Sequence, residues 1–252
     1  MGTKNVPTLP AFIFFATIIS AYTAPLPKNF VYLSDVAPTI QQDMRYAGWH
    51  NFVGHPLPGY QAATCILTNQ AAEALSKVQL ALRRQQLSLK VFDCYRPQTT
   101  VNAFIAWSKQ PQLTQMQTEF YPRVNKADFF KLGYVAAKSS HTRGSTVDLT
   151  IVPLAGSPSA AYHKGQALVA CTAPYQQRFF DGGLDMGTGF DCMDKQAHID
   201  NQAISTAAKK NRQLLQQLMQ KNGFAPYQQE WWHFTLRQEP YPTTYFDFPV
   251  AR

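Results

Sequence analysis

The sequence predicts an α+β fold: a single domain with a central antiparallel sheet flanked by helices. Three observations predict it. A few long stretches carry apolar residues at helical spacing. The strand-like runs are few and do not alternate regularly with helices, as a parallel sheet would require. Finally, setting aside a leader of about 24 residues leaves about 228 of the 252, enough for one well-packed core and short for two. With 45% hydrophobic and 13% aromatic residues, that core has ample material.

Residues 1–24 read as an export signal, and residues 25–252 as the domain. Lys4 supplies a positive charge, Ala11 to Ile19 form an apolar centre, and small residues follow at Ser20, Ala21, Thr23 and Ala24. Cleavage is expected near Ala21 to Ala24. The apolar run is shorter than the ~20 residues of a membrane span, and no cysteine follows it to suggest a lipid anchor. The expected location is periplasmic or secreted, with no stable membrane span.

Residues 25–63 read as loops and short strands. Thr68 is placed to cap a helix running to about Gln86, with Ala72, Leu75, Val78, Ala81 and Leu82 inward. Leu89 to Phe92 reads as a strand ending at Asp93-Cys94-Tyr95-Arg96, where Pro97 breaks it. A second helix covers about Thr99 to Lys109, and residues 110–138 look irregular. Val147 to Val152 alternates apolar and polar, which sets Asp148 on the polar face of a strand. A helix over about 202–222 puts Leu214, Leu215 and Leu218 on one side and stops at Gly223. Tyr227 to Leu236 is the last predicted strand.

The formal charge is +8, and loss of the leader removes only Lys4. The densest basic run, Lys209-Lys210-Asn211-Arg212, lies on one helix and reads as a solvated face. No nucleic-acid motif accompanies it, so no nucleic-acid partner is expected. Four cysteines in an oxidising compartment allow three pairings. Cys65 with Cys94, and Cys171 with Cys192, are the favoured pairs. No C-x-x-C motif suggests zinc on the cysteines.

The chemistry concentrates in Ser139-Ser140-His141-Thr142-Arg143-Gly144-Ser145-Thr146-Val147-Asp148 and in Glu230-Trp231-Trp232-His233. Two histidines and an aspartate are a ligand set for catalytic zinc, which takes three protein ligands and leaves one position for water. The glutamate would act as general base. Gly144 lets the chain turn between His141 and Asp148. Glu230 and His233 are three apart, so on a regular strand they would face opposite ways. A bulge or an end-of-strand bend must bring them together. His50, His55, His163 and His198 read as structural, with His198 a candidate support for the 191–194 segment. Asp93 is read as orienting a neighbour, and the two tryptophans as core on one side and pocket wall on the other.

The pattern SxHxxGxxxD followed by ExxH resembles the zinc D,D-peptidases, a superfamily that includes D-Ala-D-Ala dipeptidases, D,D-carboxypeptidases and the hedgehog domain. Similarity to the vancomycin-resistance type of dipeptidase extends to Trp49-His50-Asn51-Phe52, Gly59-Tyr60, Asp93-Cys94-Tyr95-Arg96-Pro97, Gly133-Tyr134-Val135-Ala136, Phe190-Asp191-Cys192-Met193-Asp194, Tyr241-Pro242 and Tyr245-Phe246-Asp247-Phe248-Pro249. The stretch from about 157 to 180, with Cys171, looks like an insertion relative to that family.

The resemblance implies the same architecture and one zinc per chain on His141, Asp148 and His233, with Glu230 as base. It implies Arg96 as stabiliser of the oxyanion and Asp191 as the carboxylate that receives the substrate ammonium. Ser139, Tyr46 and Tyr60 would be polar groups lining a small dipeptide pocket. The implied activity is hydrolysis of D-alanyl-D-alanine to two D-alanines in the cell envelope. Two rivals are a D,D-carboxypeptidase acting on peptidoglycan stems and a non-catalytic zinc module that binds cell-wall peptides. A buried Asp191 disfavours the first, since an acylated amine leaves it unpaired. Glu230 and Arg96 together disfavour the second, since zinc binding alone needs neither.

Overall fold

The computed structural model describes residues 1–2 and 25–252. The export signal expected over 1–24 therefore lies almost wholly outside the described residues. None of the described helices is long and apolar enough to cross a membrane.

Two sheets form. Phe30–Tyr32 (β1) pairs antiparallel with Ile66–Thr68 (β3). The main sheet comprises Gln41–Gln42 (β2), Leu87–Asp93 (β4), Thr146–Pro153 (β5), Phe224–Tyr227 (β6) and Glu230–Leu236 (β7), in the order β2-β4-β5-β7-β6. Its pairings are antiparallel except at the edge, where β2 runs parallel to β4. The strand predicted from Tyr227 to Leu236 is the second arm of a hairpin. Its first arm escaped notice because Pro226 interrupts the pattern, which an edge strand tolerates.

The helices are Leu33–Val36 (α1), Asn69–Arg83 (α2), Gln98–Ser108 (α3), Gln117–Phe120 (α4) and Thr206–Lys221 (α5). Thr68 precedes α2, but its hydroxyl bonds Ser145 Oγ at 2.7 Å and does not cap the helix. α5 begins four residues later than predicted because Ser205 caps it, accepting from the Ala208 amide at 3.0 Å. Gly223, at φ +93°, follows its end. The buried stripe of α5 is Ala208, Arg212, Leu215 and Met219, while Leu214 and Leu218 are only half-buried.

Val147, Leu149 and Ile151 of β5 pack with Leu75, Val78 and Leu82 of α2 and with Leu215 and Met219 of α5. Side chains alternate along a strand, so Thr146, Asp148 and Thr150 point to the opposite face. That face is buried as well. A second cluster of Phe52, Phe104, Trp107, Tyr121 and Phe129 gathers around Tyr46, drawn partly from the segment 110–138 that looked irregular. The cavity described below has Tyr46, Phe52 and Phe104 among its walls, as well as Asp148 from the sheet.

Residues 246–250 strap this arrangement. The Phe246 amide donates to Thr142 O and the Gln98 amide to Phe246 O. Tyr95 Oη donates to Phe248 O, and the Gln61 and Ala62 amides both donate to Val250 O. The sulfurs of Cys65 and Cys94, and of Cys171 and Cys192, lie at bonding distance, with Cα separations of 5.4 and 5.6 Å.

Candidate active site

Three adjacent strands carry a row of polar residues. Asp93 of β4 is the register partner of Asp148 on β5, and Asp148 is that of His233 on β7. A register shift between Val91 and Asp93 breaks the regular pairing of β4 just before Asp93, Tyr95 and Arg96.

His141 comes from a short 3₁₀ turn, Ser140–Arg143. Ser139 caps it by accepting from the His141 amide, and Gly144 ends it at φ +83°. The turn lays His141 Nε2 3.2 Å from Asp148 Oδ2 and 3.2 Å from His233 Nδ1. His233 Nδ1 is in turn 3.1 Å from Asp148 Oδ1. Candidate ligand atoms of these three residues all lie within 4.8 Å of one another.

This donor set fits a divalent cation. His141 Nδ1 donates to Cys94 O at 2.8 Å, which leaves the Nε2 lone pair facing inward. The outer nitrogen of His233 is held by Ser140 Oγ at 3.1 Å, turning Nδ1 toward the same point. Asp148 Oδ1 is buried and lies at ion-pair distance from His233, yet has no hydrogen-bond partner among the described residues. Two nitrogens and an unsatisfied carboxylate oxygen match the three-ligand composition of catalytic zinc sites.

Glu230 stands beside this group with Oε2 3.4 Å from His233 Nδ1. It is the first residue of β7 and pairs with Tyr227 across the hairpin end, where the register shifts. The bend that the three-residue spacing demands is therefore present. Glu230 and His233 line the cavity, as does Trp232. Trp231 is buried in the core, where its indole donates to Thr188 Oγ1. Burial drives the Glu230 carboxyl up to about 7; Asp148 acts the same way, while His233 and Arg96 oppose it. A carboxyl poised there suits proton exchange at neutral pH.

Arg96, just past the end of β4, also lines the cavity and reaches this group. Its Nε and Nη2 each reach Asp93 Oδ2 at 2.8 Å, and Nη2 lies 3.7 Å from Asp148 Oδ2. Among the described residues, Nη1 has only a 3.5 Å contact to Ser139 Oγ. The guanidinium also lies over the rings of Tyr46 and Phe104, at 4.9 and 5.2 Å. Asp93 thus clamps one edge of Arg96 and leaves Nη1 lightly held.

Asp191 lies in the same cavity, of about 490 Å³. Its backbone is left-handed at φ +56°, and Tyr46 Oη donates to its Oδ2 at 2.7 Å. Burial pushes the Asp191 carboxyl well above the usual carboxylate range, with Asp148 adding to the effect. A cation placed beside it would relieve that cost.

The cavity gathers Tyr46, Arg96, Ser139, His141, Asp148, Asp191, Glu230 and His233. Tyr60 is not among its lining residues. It stands behind Asp93, donating to Oδ1 at 2.5 Å, because its ring packs against Tyr46 and shares the strap of Val250. His198 lines a separate groove and does not reach Asp191. Tyr134, Lys138, Ser140 and Tyr227 also line the site or hold its residues and were missed by sequence reasoning. Ser140, beside His141 in the motif, and Tyr134, within Gly133-Tyr134-Val135-Ala136, carried signals that could have found them.

Comparison with known proteins is consistent with this geometry. The family model described as D-ala-D-ala dipeptidase matches residues 27–158 and 179–251. The unmatched stretch falls within the insertion expected at about 157–180. The chain is 36% identical over 224 residues to a D-alanyl-D-alanine dipeptidase of Enterococcus faecium, covering 88% of this chain and 98% of the relative. It is 37% identical over 223 residues to one of Streptomyces coelicolor, with the same coverage. A dipeptidase of that name from Escherichia coli is 28% identical over 210 residues, covering 83% and 86% of the two chains.

Proposed function

Since the chain belongs to the D-ala-D-ala dipeptidase family and is a peptidase, we propose that it is an exported zinc enzyme that splits D-alanyl-D-alanine into two D-alanines. The observation that carries this reading is the meeting of His141, Asp148, His233, Glu230, Arg96 and Asp191 in one cavity.

His141, Asp148 and His233 would hold the single ion. Zinc bound there supplies a Lewis acid for the scissile carbonyl and lowers the pKa of water. Glu230 accepts the proton of the attacking water on its carboxylate and delivers it to the leaving amine. The lightly held Nη1 of Arg96 donates to the oxygen on which negative charge develops, while Asp93 keeps the guanidinium aimed. Asp191, with Tyr46 Oη fixing its other oxygen, receives the substrate ammonium. A free dipeptide supplies that cation, whereas an acylated amine would leave a buried carboxylate unpaired. Selection for the free amino terminus favours the dipeptidase over a carboxypeptidase acting on longer stems.

Export is supported by the charged and apolar leader residues and by the two cysteine pairs at bonding distance, which we read as disulfides of an oxidising compartment. An exported enzyme acts on dipeptide in the envelope, whether scavenged or released by wall remodelling.

The test is hydrolysis of D-Ala-D-Ala and of N-acetyl-D-Ala-D-Ala by the mature protein, with and without chelator. Preference for the free dipeptide, lost with the metal, is the expected result, and Asp191→Ala should hurt the free substrate far more than the acetylated one. Equal cleavage of both substrates by the wild type would replace this reading with a carboxypeptidase.

A further inference from the structure

Asp191 is held in a conformation that a residue with a Cβ rarely adopts, so something around it must impose the turn. The anchors are specific. The Gly189 amide donates to Cys171 O at 2.9 Å, and the Cys171 amide donates to Glu119 O at 2.8 Å. The Met193 amide donates to Phe120 O at 2.8 Å. Cys192, the residue after Asp191, is paired with Cys171. Thus both sides of the Asp191 turn are tied to the strip 119–120, and one tie runs through Cys171.

Cys171 belongs to the stretch outside the family match. That stretch and its margin are themselves seated on a buried cluster. Tyr162 stacks on the His50 ring at 4.4 Å, and Phe179 lies 4.0 Å from it. His50 joins Arg45 Nη1 and Glu119 Oε1, each at 2.7 Å. Arg45 precedes Tyr46, whose hydroxyl grips Asp191. One scaffold therefore holds both halves of the ammonium cradle.

We propose that the Cys171–Cys192 bridge is a positioning element for Asp191, so that selectivity for a free amino terminus is acquired only when the pair is oxidised. The inference rests on Asp191 as the ammonium receptor. Closure would proceed by thiol–disulfide exchange: one cysteine thiolate attacks an acceptor disulfide, and the second displaces the acceptor thiol from the mixed disulfide. The two thiols lose two electrons and two protons, and the acceptor becomes a dithiol. In a reducing cytoplasm the cradle stays loose. The preference for a free amino terminus then appears only after export.

The experiment compares wild type with the double variant C171A/C192A in the mature, zinc-loaded protein. Read-outs are zinc content, kcat and KM for D-Ala-D-Ala and for N-acetyl-D-Ala-D-Ala, and hydrogen exchange of the amides from Gly189 to Met193. The expected result is one zinc per chain, faster exchange at 189–193, and a loss of about tenfold or more in preference for the free dipeptide, carried mainly by KM. An unchanged preference in the folded variant overturns the proposal. If the variant does not fold, wild type is titrated with dithiothreitol, and the opened Cys171–Cys192 fraction is mapped by alkylation. Preference should then fall in proportion to that fraction, and preference that survives complete opening overturns the proposal. If oxidised wild type shows no preference at all, the ammonium reading itself has failed, a result distinct from a preference that persists without the bridge.

Discussion

Asp148 and His233 are register partners on neighbouring strands, and Asp148 Oδ1 lies 3.1 Å from His233 Nδ1 while lacking a hydrogen-bond partner among the described residues. An ion held by His141, Asp148 and His233 would bind only the folded chain. Chelation should lower the melting temperature as well as abolish activity, since a ligand that binds only the folded state stabilises it. Metal analysis should find one zinc per chain, and His141→Ala should lose it. Full activity in metal-free protein would refute the mechanism.

Glu230→Gln tests the division of labour between ligands and base. The variant should retain zinc and lose turnover, because Glu230 lies beside His233 and outside the three-ligand group. Collapse of zinc affinity would show instead that Glu230 is a ligand.

Arg96→Ala should lower kcat by the ~10²–10³-fold typical of a lost oxyanion donor. Asp93→Asn should act in the same direction but more weakly, because it loosens the clamp and leaves the guanidinium in place. Steady-state kinetics separate the cases, and an effect confined to KM would move Arg96 to substrate binding.

Gly144→Ala should be costly. The residue sits at φ +83°, and a Cβ there would run into the Phe30 ring. A loss of about 2 kcal/mol or more is expected, or a fall of about 4–8 °C in melting temperature, measured by calorimetry. A variant as stable as wild type would show that the turn relaxes freely.

The His50 cluster predicts a pH dependence of stability. Arg45 Nη1 donates to His50 Nδ1, so Nε2 carries the proton and donates to Glu119. Burial pushes the His50 pKa below its usual value, although Glu119 pulls the other way. The unfolded chain then binds a proton near pH ~6.5 that the folded chain resists. This contribution is whole above that pH and drains away as the pH falls below it. Melting temperature should thus drop between pH 7.5 and 5.5 with a shallower slope in His50→Gln; equal slopes would remove His50 as the cause.

Much of the fold was legible because its signals are local. Apolar spacing marked α2, α3 and α5, and the alternation around Asp148 marked β5. The chemistry was legible because His141, Asp148, Glu230 and His233 fall in two short motifs. What stayed hidden depends on contacts distant in sequence. Thr68 turns its hydroxyl to Ser145 and not to its own helix. Tyr60 is drawn behind Asp93 by packing. The Arg45–His50–Glu119 cluster joins residues up to 74 positions apart, with no periodicity to announce it.

The strap formed by residues 246–250 sets an order of events in time. Arg96 and its neighbours are synthesised about 150 residues before the segment that bonds Gln98, Tyr95 and Thr142. A chain emerging amino end first cannot finish the walls of its cavity until that late segment arrives. The nascent protein is thus a poor catalyst until that segment has emerged. Deleting residues 246–252 should prevent recovery of zinc-loaded protein, and an active truncated enzyme would show that the strap is dispensable.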